Sequence, residues 1–255
     1  MLAIYELFNK ISPSKTVSAV VASLLCLIFV PSLMAHENWD DHNRSNRYTV
    51  RDIAYDYLNS CAPNAILFTN GDNDTFPTWY AQEVEGFRTD VRIVCLPYLS
   101  TDWYIDQLKR RAYSSAPVPF SMTQKQYIQG KRDYVPVYVR IKKPVNLKEV
   151  INFVASDNPK TKLETQGGEN IDYFPARDFV IPVDSAKVIA NGTVKPKDAD
   201  KIVRNIKWKM KANYVGKNDL MVLDLLSNND WNRPIYFVSV GTGNATNLKD
   251  YFQLD

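Results

Sequence analysis

Hydrophobic residues are concentrated in one uncharged run near the beginning of the chain. Thr16–Ala35 holds twenty residues without a charge, and as a helix this run would extend about 30 Å, the thickness of the hydrocarbon core of a bilayer. It is longer than the apolar part of a signal peptide, and Leu33 is a poor residue three positions before a cut at its end. The pattern favours a transmembrane helix, after a short segment at residues 1–15, over a cleaved signal peptide. The basic residues on its two sides leave its orientation open.

Shorter patterns after this run alternate between helix and strand. Helical spacing of apolar residues occurs at residues 48–61, 75–85, 100–113, 146–155 and 219–226. Apolar or alternating runs of strand length occur at residues 65–69, 90–96, 134–141, 179–183, 205–212 and 235–240, and a turn at residues 241–244 leads into a last, short helix. The order strand, loop, helix, strand over residues 65–96 is that of a βαβ unit with parallel strands. We therefore predict an α/β fold with a Rossmann-like layered sheet and βαβ units, preceded by one transmembrane helix.

Composition and charge agree with a folded domain at residues 36–255. The chain is 45 % hydrophobic and 23 % charged, which is globular composition. The net charge of +3 does not indicate a nucleic-acid partner. Three lysines, Lys207, Lys209 and Lys211, alternate with apolar residues, so they form either a solvated strand face or a face that attracts anionic headgroups or a phosphate-bearing carrier.

Neither the cysteines nor the histidines form a recognisable site. Cys61 and Cys95 lie outside the apolar run, and two small buried side chains are favoured over a disulfide between them. His36 and His42 stand beside acidic residues that could complete a zinc site, but a solvated segment next to the membrane is the better account.

Candidate binding residues follow the strand predicted at residues 65–69. They share polar side chains and lie at the carboxyl end of a strand, where parallel sheets bind ligands: Asn70, Asp72, Asn73, Asp74 and Thr75. Residues 96–101 and 241–246 follow other strands and belong to the same edge. Asp72 and Asp74 are the candidates for a divalent cation. The competing and favoured interpretation is a turn, with Asp74 or Thr75 capping the next helix. A cap needs only one carboxylate, so the second one keeps a binding role open.

Three known chemistries can be compared with this turn. An EF-type calcium loop would need an oxygen ligand at Phe76 and a glycine at Pro77, so it is excluded. The haloacid-dehalogenase phosphatases place a nucleophilic aspartate directly after the strand, and here Asn70 and Gly71 intervene. Asp72-Asn73-Asp74 matches an Asp-x-Asp site, but two fixed residues make a weak pattern. Walker and Rossmann glycine motifs do not occur.

Two stretches carry a resemblance to a known family. Asn38–Tyr113, which includes FTNGDNDTFPTWY, and Asn228–Phe237, NNDWNRPIYF, resemble large bacterial multi-pass membrane proteins. That family is itself similar to protein O-mannosyltransferases and other lipid-sugar-dependent glycosyltransferases. The resemblance implies that Thr16–Ala35 is the last of many spanning helices and that the chain is a fragment, truncated at its C-terminus as well. It also implies that the catalytic acidic loop of such enzymes is absent here.

The resemblance leads to a functional hypothesis. We expect an accessory extracytoplasmic domain in the bacterial inner membrane, on the periplasmic side, which binds an acceptor protein or a lipid-linked sugar and does not carry the catalytic centre. An extracytoplasmic Asp-x-Asp would not read nucleotide sugars, because these are cytoplasmic. The alternatives are a structural or assembly domain without a ligand, and a phosphatase-like hydrolase.

Overall fold

The computed structural model describes residues 2–11 and 14–238. The chain divides into two compact units, Met1–Tyr48 and Thr49–Asp255. The predicted turn at residues 241–246 and the short helix after it lie outside the described residues.

The first unit consists of two helices, α1 (Leu2–Ile11) and α2 (Lys15–His42). The Ser14 hydroxyl begins α2 by accepting a hydrogen bond from the Val17 amide at 3.5 Å. The predicted apolar run lies within α2, and its side chains are largely exposed; Leu27, for example, is 71 % exposed. Among the described residues, α2 is the one helix that is long and apolar enough to cross a bilayer. Such an uncovered apolar helix is consistent with membrane association.

The second unit combines helices with short strands. Its α-helices are α3 (Thr49–Ser60), α4 (Asp72–Glu83), α5 (Asp102–Leu108), α6 (Gln124–Tyr127), α7 (Leu147–Ala155), α8 (Ser185–Ala190) and α9 (Lys217–Asn228). Its strands are β1 (Ile66–Thr69), β2 (Arg92–Cys95), β3 (Tyr134–Pro136), β4 (Val145–Asn146), β5 (Leu163–Glu164), β6 (Asn170–Ile171), β7 (Asp178–Pro182), β8 (Asn205–Lys209), β9 (Tyr214–Gly216) and β10 (Ile235–Phe237). Short 3-10 helices occupy Pro97–Ser100, Pro159–Thr161 and Pro196–Lys201.

The predicted βαβ unit is present. Strands β10, β1 and β2 form a parallel sheet in that order, with Leu67 opposite Tyr236 on one side and Ile93 on the other. Alternate residues of β1 enter two different cores, because successive side chains point to opposite faces of a strand. Leu67 packs with α3 and α4, whereas Ile66 and Phe68 belong to the larger core. The sheet is therefore covered on both faces.

The other strands form small separate sheets, so a single Rossmann-like layered sheet is not what the described residues show. Strands β4, β7 and β8 form one sheet in which β7 and β8 are antiparallel, while β3 pairs with β9 and β5 with β6. The molecule is of the mixed α/β class, as predicted. The sequence pattern identified strands, but hydrophobicity alone does not specify which strands pair.

Two predicted elements are shorter than expected. The helix predicted at residues 100–113 is shortened to α5, which begins at Asp102, after the 3-10 helix Pro97–Ser100, and ends at Leu108. The buried guanidinium of Arg92 donates hydrogen bonds to the carbonyls of Gln107, Leu108 and Arg110, at 3.1, 3.3 and 2.9 Å, and so satisfies the groups at this helix end. The strand predicted at residues 134–141 is shortened to β3, because the chain changes its backbone partner after Val137: the Val137 amide donates to Asn213, beside β9, whereas the Tyr138 amide donates to the Phe174 carbonyl.

Candidate functional site

The candidate site lies at the carboxyl edge of the parallel sheet. Strand β1 occupies the middle of the sheet, with β2 on one side and β10 on the other. The chain crosses to one side after β1 and returns to the other side with β10, which makes the ends of β1 and β10 a topological switch point. Ligands of open parallel sheets bind in such a crevice, so the position supports the predicted site. The turn that follows β10 lies outside the described residues.

Helix α4 begins earlier than predicted. Its first residue is Asp72, and Gly71 is its N-cap, without any side chain capping the helix. The start predicted at Thr75 and a capping role for Asp74 or Thr75 are therefore wrong. Asp72 and Asp74 instead lie inside the first turn, where carboxylates are stabilised by the positive end of the helix dipole. The acidic residues thus extend the helix and do not precede it.

The structure separates the five predicted residues into two groups. Asn70, Asp72 and Asn73 are exposed, and Asp74 is partly exposed, with one carboxylate oxygen 3.4 Å from the Asn70 amide. Thr75 is buried, and its hydroxyl lies 2.6 Å from that of Thr69 in β1. Thr75 therefore joins α4 to the sheet and cannot reach a ligand, while the other four remain candidates. We call those four residues the acidic turn.

Pro77 changes the chemistry of the acidic turn. It is the sixth residue of α4 and lies beyond the first helical turn. Because proline has no backbone N–H, the carbonyl of Asn73 loses its usual helical donor. That carbonyl belongs to the same turn as the two carboxylates.

The donor set for a metal ion is small. The acidic turn offers two carboxylates, Asp72 and Asp74, together with amide and carbonyl oxygens. Within residues 2–11 and 14–238, no group of three or more His, Cys, Asp or Glu residues could hold a metal ion. A divalent cation here would depend on oxygen ligands from outside these carboxylates.

Aromatic side chains form a cluster next to the acidic turn, and the sequence analysis did not identify it. The rings come from α4, from the turn after β2 and from α5, and each ring contacts the next one. The distances between ring centroids are 5.8 Å for Phe76 and Trp79, 6.2 Å for Trp79 and Tyr98, 6.0 Å for Tyr98 and Trp103, and 5.5 Å for Trp103 and Tyr104. Phe76 is 48 % and Trp103 is 55 % exposed. The only signal in the sequence is that both TFPTWY and PYLSTDWY follow a strand and are rich in aromatic residues. We call these five residues the aromatic cluster.

A cleft of about 450 Å³ opens beside Trp103. Its walls come from the start of α5 and the start of α9, and polar side chains dominate its lining: Asp102, Gln129, Asp133, Lys217 and Asn218. Lys217 is buried and forms an ion pair with Asp133. Since the α5 wall follows β2, the cleft belongs to the same carboxyl edge as the acidic turn. We call it the Trp103 cleft.

Comparison with known proteins identifies the family. Residues 50–255 match the family model described as TMEM260-associated domain 2. The chain belongs to this family. No curated protein and no solved structure matches it. Membership of a membrane-protein-associated family, together with α2, indicates an accessory domain of a membrane protein.

In this TMEM260-associated domain, the other residues singled out in the sequence have the following settings. Cys61 and Cys95 are buried free thiols, and burial raises the pKa of Cys61 to about 12. His36 and His42 are exposed residues of α2. The lysine face of β8 and the residues after it is exposed, as its alternation predicted.

Proposed function

We propose that this domain binds glycans for a membrane protein of the lipid-sugar-dependent glycosyltransferase type, holding an acceptor or a lipid-linked sugar on the extracytoplasmic side. The aromatic cluster beside the acidic turn supports this proposal. The C–H faces of a sugar ring are apolar and stack on aromatic rings, whereas its hydroxyls exchange hydrogen bonds with carboxylates and carboxamides. The domain offers both kinds of group together at the edge where parallel sheets bind ligands.

The setting of the acidic turn favours binding over catalysis. Asp72 is exposed to solvent. Catalytic carboxylates usually lie in an enclosed cleft, beside a charged group that shifts their pKa. The exposed Asn70 and Asn73 side chains and the carbonyl of Asn73 add hydrogen-bonding groups without a nucleophile. We therefore assign the turn to recognition, with the chemical step in another part of the protein.

The test uses the full chain in lipid nanodiscs. Saturation-transfer NMR with mannobiose, a lipid-linked mannose and a mannosylated acceptor peptide should detect binding. The double variant Asp72→Ala/Asp74→Ala should weaken the binding of at least one ligand about tenfold, because two hydrogen-bonding carboxylates are lost. Asp200→Ala, another exposed acidic residue, is the matched control and should have no effect. If none of the three ligands binds, the proposal is wrong.

A second function, assembly with a membrane-embedded partner, is favoured by one observation. Tyr80 and Val84 follow Phe76 on α4 at intervals of four residues, and the three side chains are 47 %, 67 % and 48 % exposed, respectively. Residues four apart share one helix face, so α4 presents an uncovered apolar stripe. If the domain serves assembly, Tyr80→Ser/Val84→Ser should lower the abundance of the protein in the membrane fraction, while Asp72→Ala/Asp74→Ala should leave it unchanged.

A further inference from the structure

We infer that the Trp103 cleft holds one uncharged pyranose ring of the bound glycan. This inference rests on the proposed function, and it adds a location and a ligand class that the acidic turn does not provide. Three properties of the cleft carry it: its size and position, its unpartnered carboxamides, and its charge.

The size and walls of the cleft suit a sugar ring. Ligand pockets usually begin at about 300 Å³, and the cleft measures about 450 Å³. Trp103 forms one side and is held in place by ring contacts to Tyr98 at 6.0 Å and Tyr104 at 5.5 Å. Tyr104 is itself fixed, because its hydroxyl accepts a hydrogen bond from the Cys95 amide at 2.9 Å. The cleft therefore has a supported indole with more than half of its surface uncovered.

The lining of the cleft also includes two carboxamides, that of Gln129, which is exposed, and that of Asn218, which is half-buried. Among the residues that the structure describes, the side-chain carboxamides of Gln129 and Asn218 make no hydrogen bond. A carboxamide both donates and accepts, which matches the hydroxyls of a sugar. The Asn218 side chain lies over Gly216, because a Cβ added at Gly216 would be 2.9 Å from the Asn218 Oδ1 atom. Glycine at this position thus leaves room for the carboxamide.

The charge of the cleft selects against phosphate. Its one cation, Lys217, is only 3 % exposed and donates hydrogen bonds to Asp133 and to the Ile128 carbonyl, the latter at 3.2 Å. Asp102 adds a second carboxylate at the rim, where it accepts a hydrogen bond from the Trp103 amide at 2.8 Å. Asp133 offsets the ammonium of Lys217, so the three charged groups leave a net charge of −1, which disfavours an anion. The cleft should therefore bind the sugar and exclude its phosphorylated form.

Two variants probe the cleft without removing its charged groups. Gly216 has φ −73° and ψ 163°, a backbone conformation that alanine adopts without strain. In Gly216→Ala the new methyl group must displace the Asn218 carboxamide, so the cleft changes and the fold does not. Gly167→Ala is the matched control, because its nearest neighbour, the Thr165 hydroxyl, is at 3.8 Å. Trp103→Ala removes the stacking surface.

The experiment titrates the full chain in nanodiscs with mannobiose, with mannose and with mannose 6-phosphate, and follows the sugar protons by saturation-transfer NMR. We expect Gly216→Ala to weaken mannobiose binding at least tenfold, Trp103→Ala to abolish it, and Gly167→Ala to leave it unchanged. Mannose 6-phosphate should bind at least tenfold more weakly than mannose. Circular dichroism of each variant controls for folding.

The outcomes separate this inference from the function on which it rests. If mannobiose binds and Gly216→Ala has the affinity of the original chain, or if the phosphorylated sugar binds more tightly, the cleft assignment is wrong and the glycan-binding function stands. If mannobiose, the lipid-linked mannose and the mannosylated peptide all fail to bind, both are wrong.

Discussion

Asp219 is a half-buried carboxyl group in the first turn of α9, and its partial burial raises its pKa to about 6. In the unfolded chain an aspartate has a pKa near 3.9, so the folded state binds the proton more tightly. Folding stability therefore falls as the pH rises from about 4 to 6, and the full cost, about 2–3 kcal/mol, is present above pH 6.

Replacing this carboxylate should remove that pH dependence. We expect Asp219→Asn to raise the free energy of unfolding by about 2 kcal/mol at pH 8 and to lose this advantage below pH 4. Urea unfolding of the detergent-solubilised chain at both values is the measurement. Asp200→Asn, at an exposed position, is the control. If the difference in unfolding free energy between Asp219→Asn and the original chain is the same at pH 4 and at pH 8, burial of the carboxylate is not its cause.

Arg132 is a cation enclosed by backbone carbonyls. Its side chain is 1 % exposed and donates hydrogen bonds to the carbonyls of Val154 and Ala155, at 2.9 and 3.0 Å, and it lies 3.3 Å from a carboxylate oxygen of Asp172. Arg132→Met would leave these acceptors unsatisfied, so we expect a loss of about 3–5 kcal/mol in unfolding free energy. The exposed neighbour Lys131 provides the control: Lys131→Met should change stability by less than about 0.5 kcal/mol.

At the scale of an element, Pro77 destabilises helix α4, because proline cannot donate the backbone hydrogen bond of that position. Alanine at this position would restore the hydrogen bond to the Asn73 carbonyl, so we expect Pro77→Ala to stabilise the domain by about 1–2 kcal/mol in thermal or urea unfolding. The same bond would occupy a carbonyl of the acidic turn. If the turn binds glycans, Pro77→Ala should therefore weaken binding while it stabilises the fold. If Pro77→Ala is less stable than the original chain, the expectation that Pro77 destabilises α4 is wrong.

The individual elements differ in how far their sequence predicts them. Helix α7 matches the prediction for residues 146–155 almost to the residue, because a regular apolar face and the capping side chain of Asn146, 2.9 Å from the Lys148 amide, act together. Strand β3 is three residues long, whereas eight were predicted. Hydrophobicity does not show where the backbone stops pairing with one strand and begins to hydrogen-bond with another segment. Local patterns thus identify elements, and distant contacts set their lengths.

The same distinction applies to the candidate site. The acidic turn could be predicted, since its residues are neighbours in sequence after an apolar run. The Trp103 cleft could not, because Trp103 and Asn218 come together only when α9 packs against the turn after β2. The neighbouring aromatic residues could have suggested a cluster, but their ring contacts depend on how α4 and α5 are placed.

At the scale of the whole molecule, we expect α2 to determine whether the chain stays in a membrane, because it is long and apolar enough to span one. An arginine near the centre of a spanning helix costs about 2.5–3.5 kcal/mol in insertion. We expect Leu27→Arg to shift a measurable part of the full chain from the carbonate-resistant membrane fraction to the soluble fraction. Val203→Arg, which also replaces an exposed apolar residue, is the control and should remain in the membrane fraction. Equal partitioning of the two variants would argue against a spanning role for α2.

The pairing of β10 with β1 has a consequence for synthesis. Ile66 pairs with Ile235 in the sheet, so this pairing cannot form until Ile235 has been synthesised. A ribosome adding about 5–20 residues per second needs roughly 10–35 s to make the intervening chain. During that interval one edge of a strongly hydrophobic strand has no partner, and such edges promote aggregation. Production of this domain should therefore depend on chaperones that shield the nascent chain until β10 emerges.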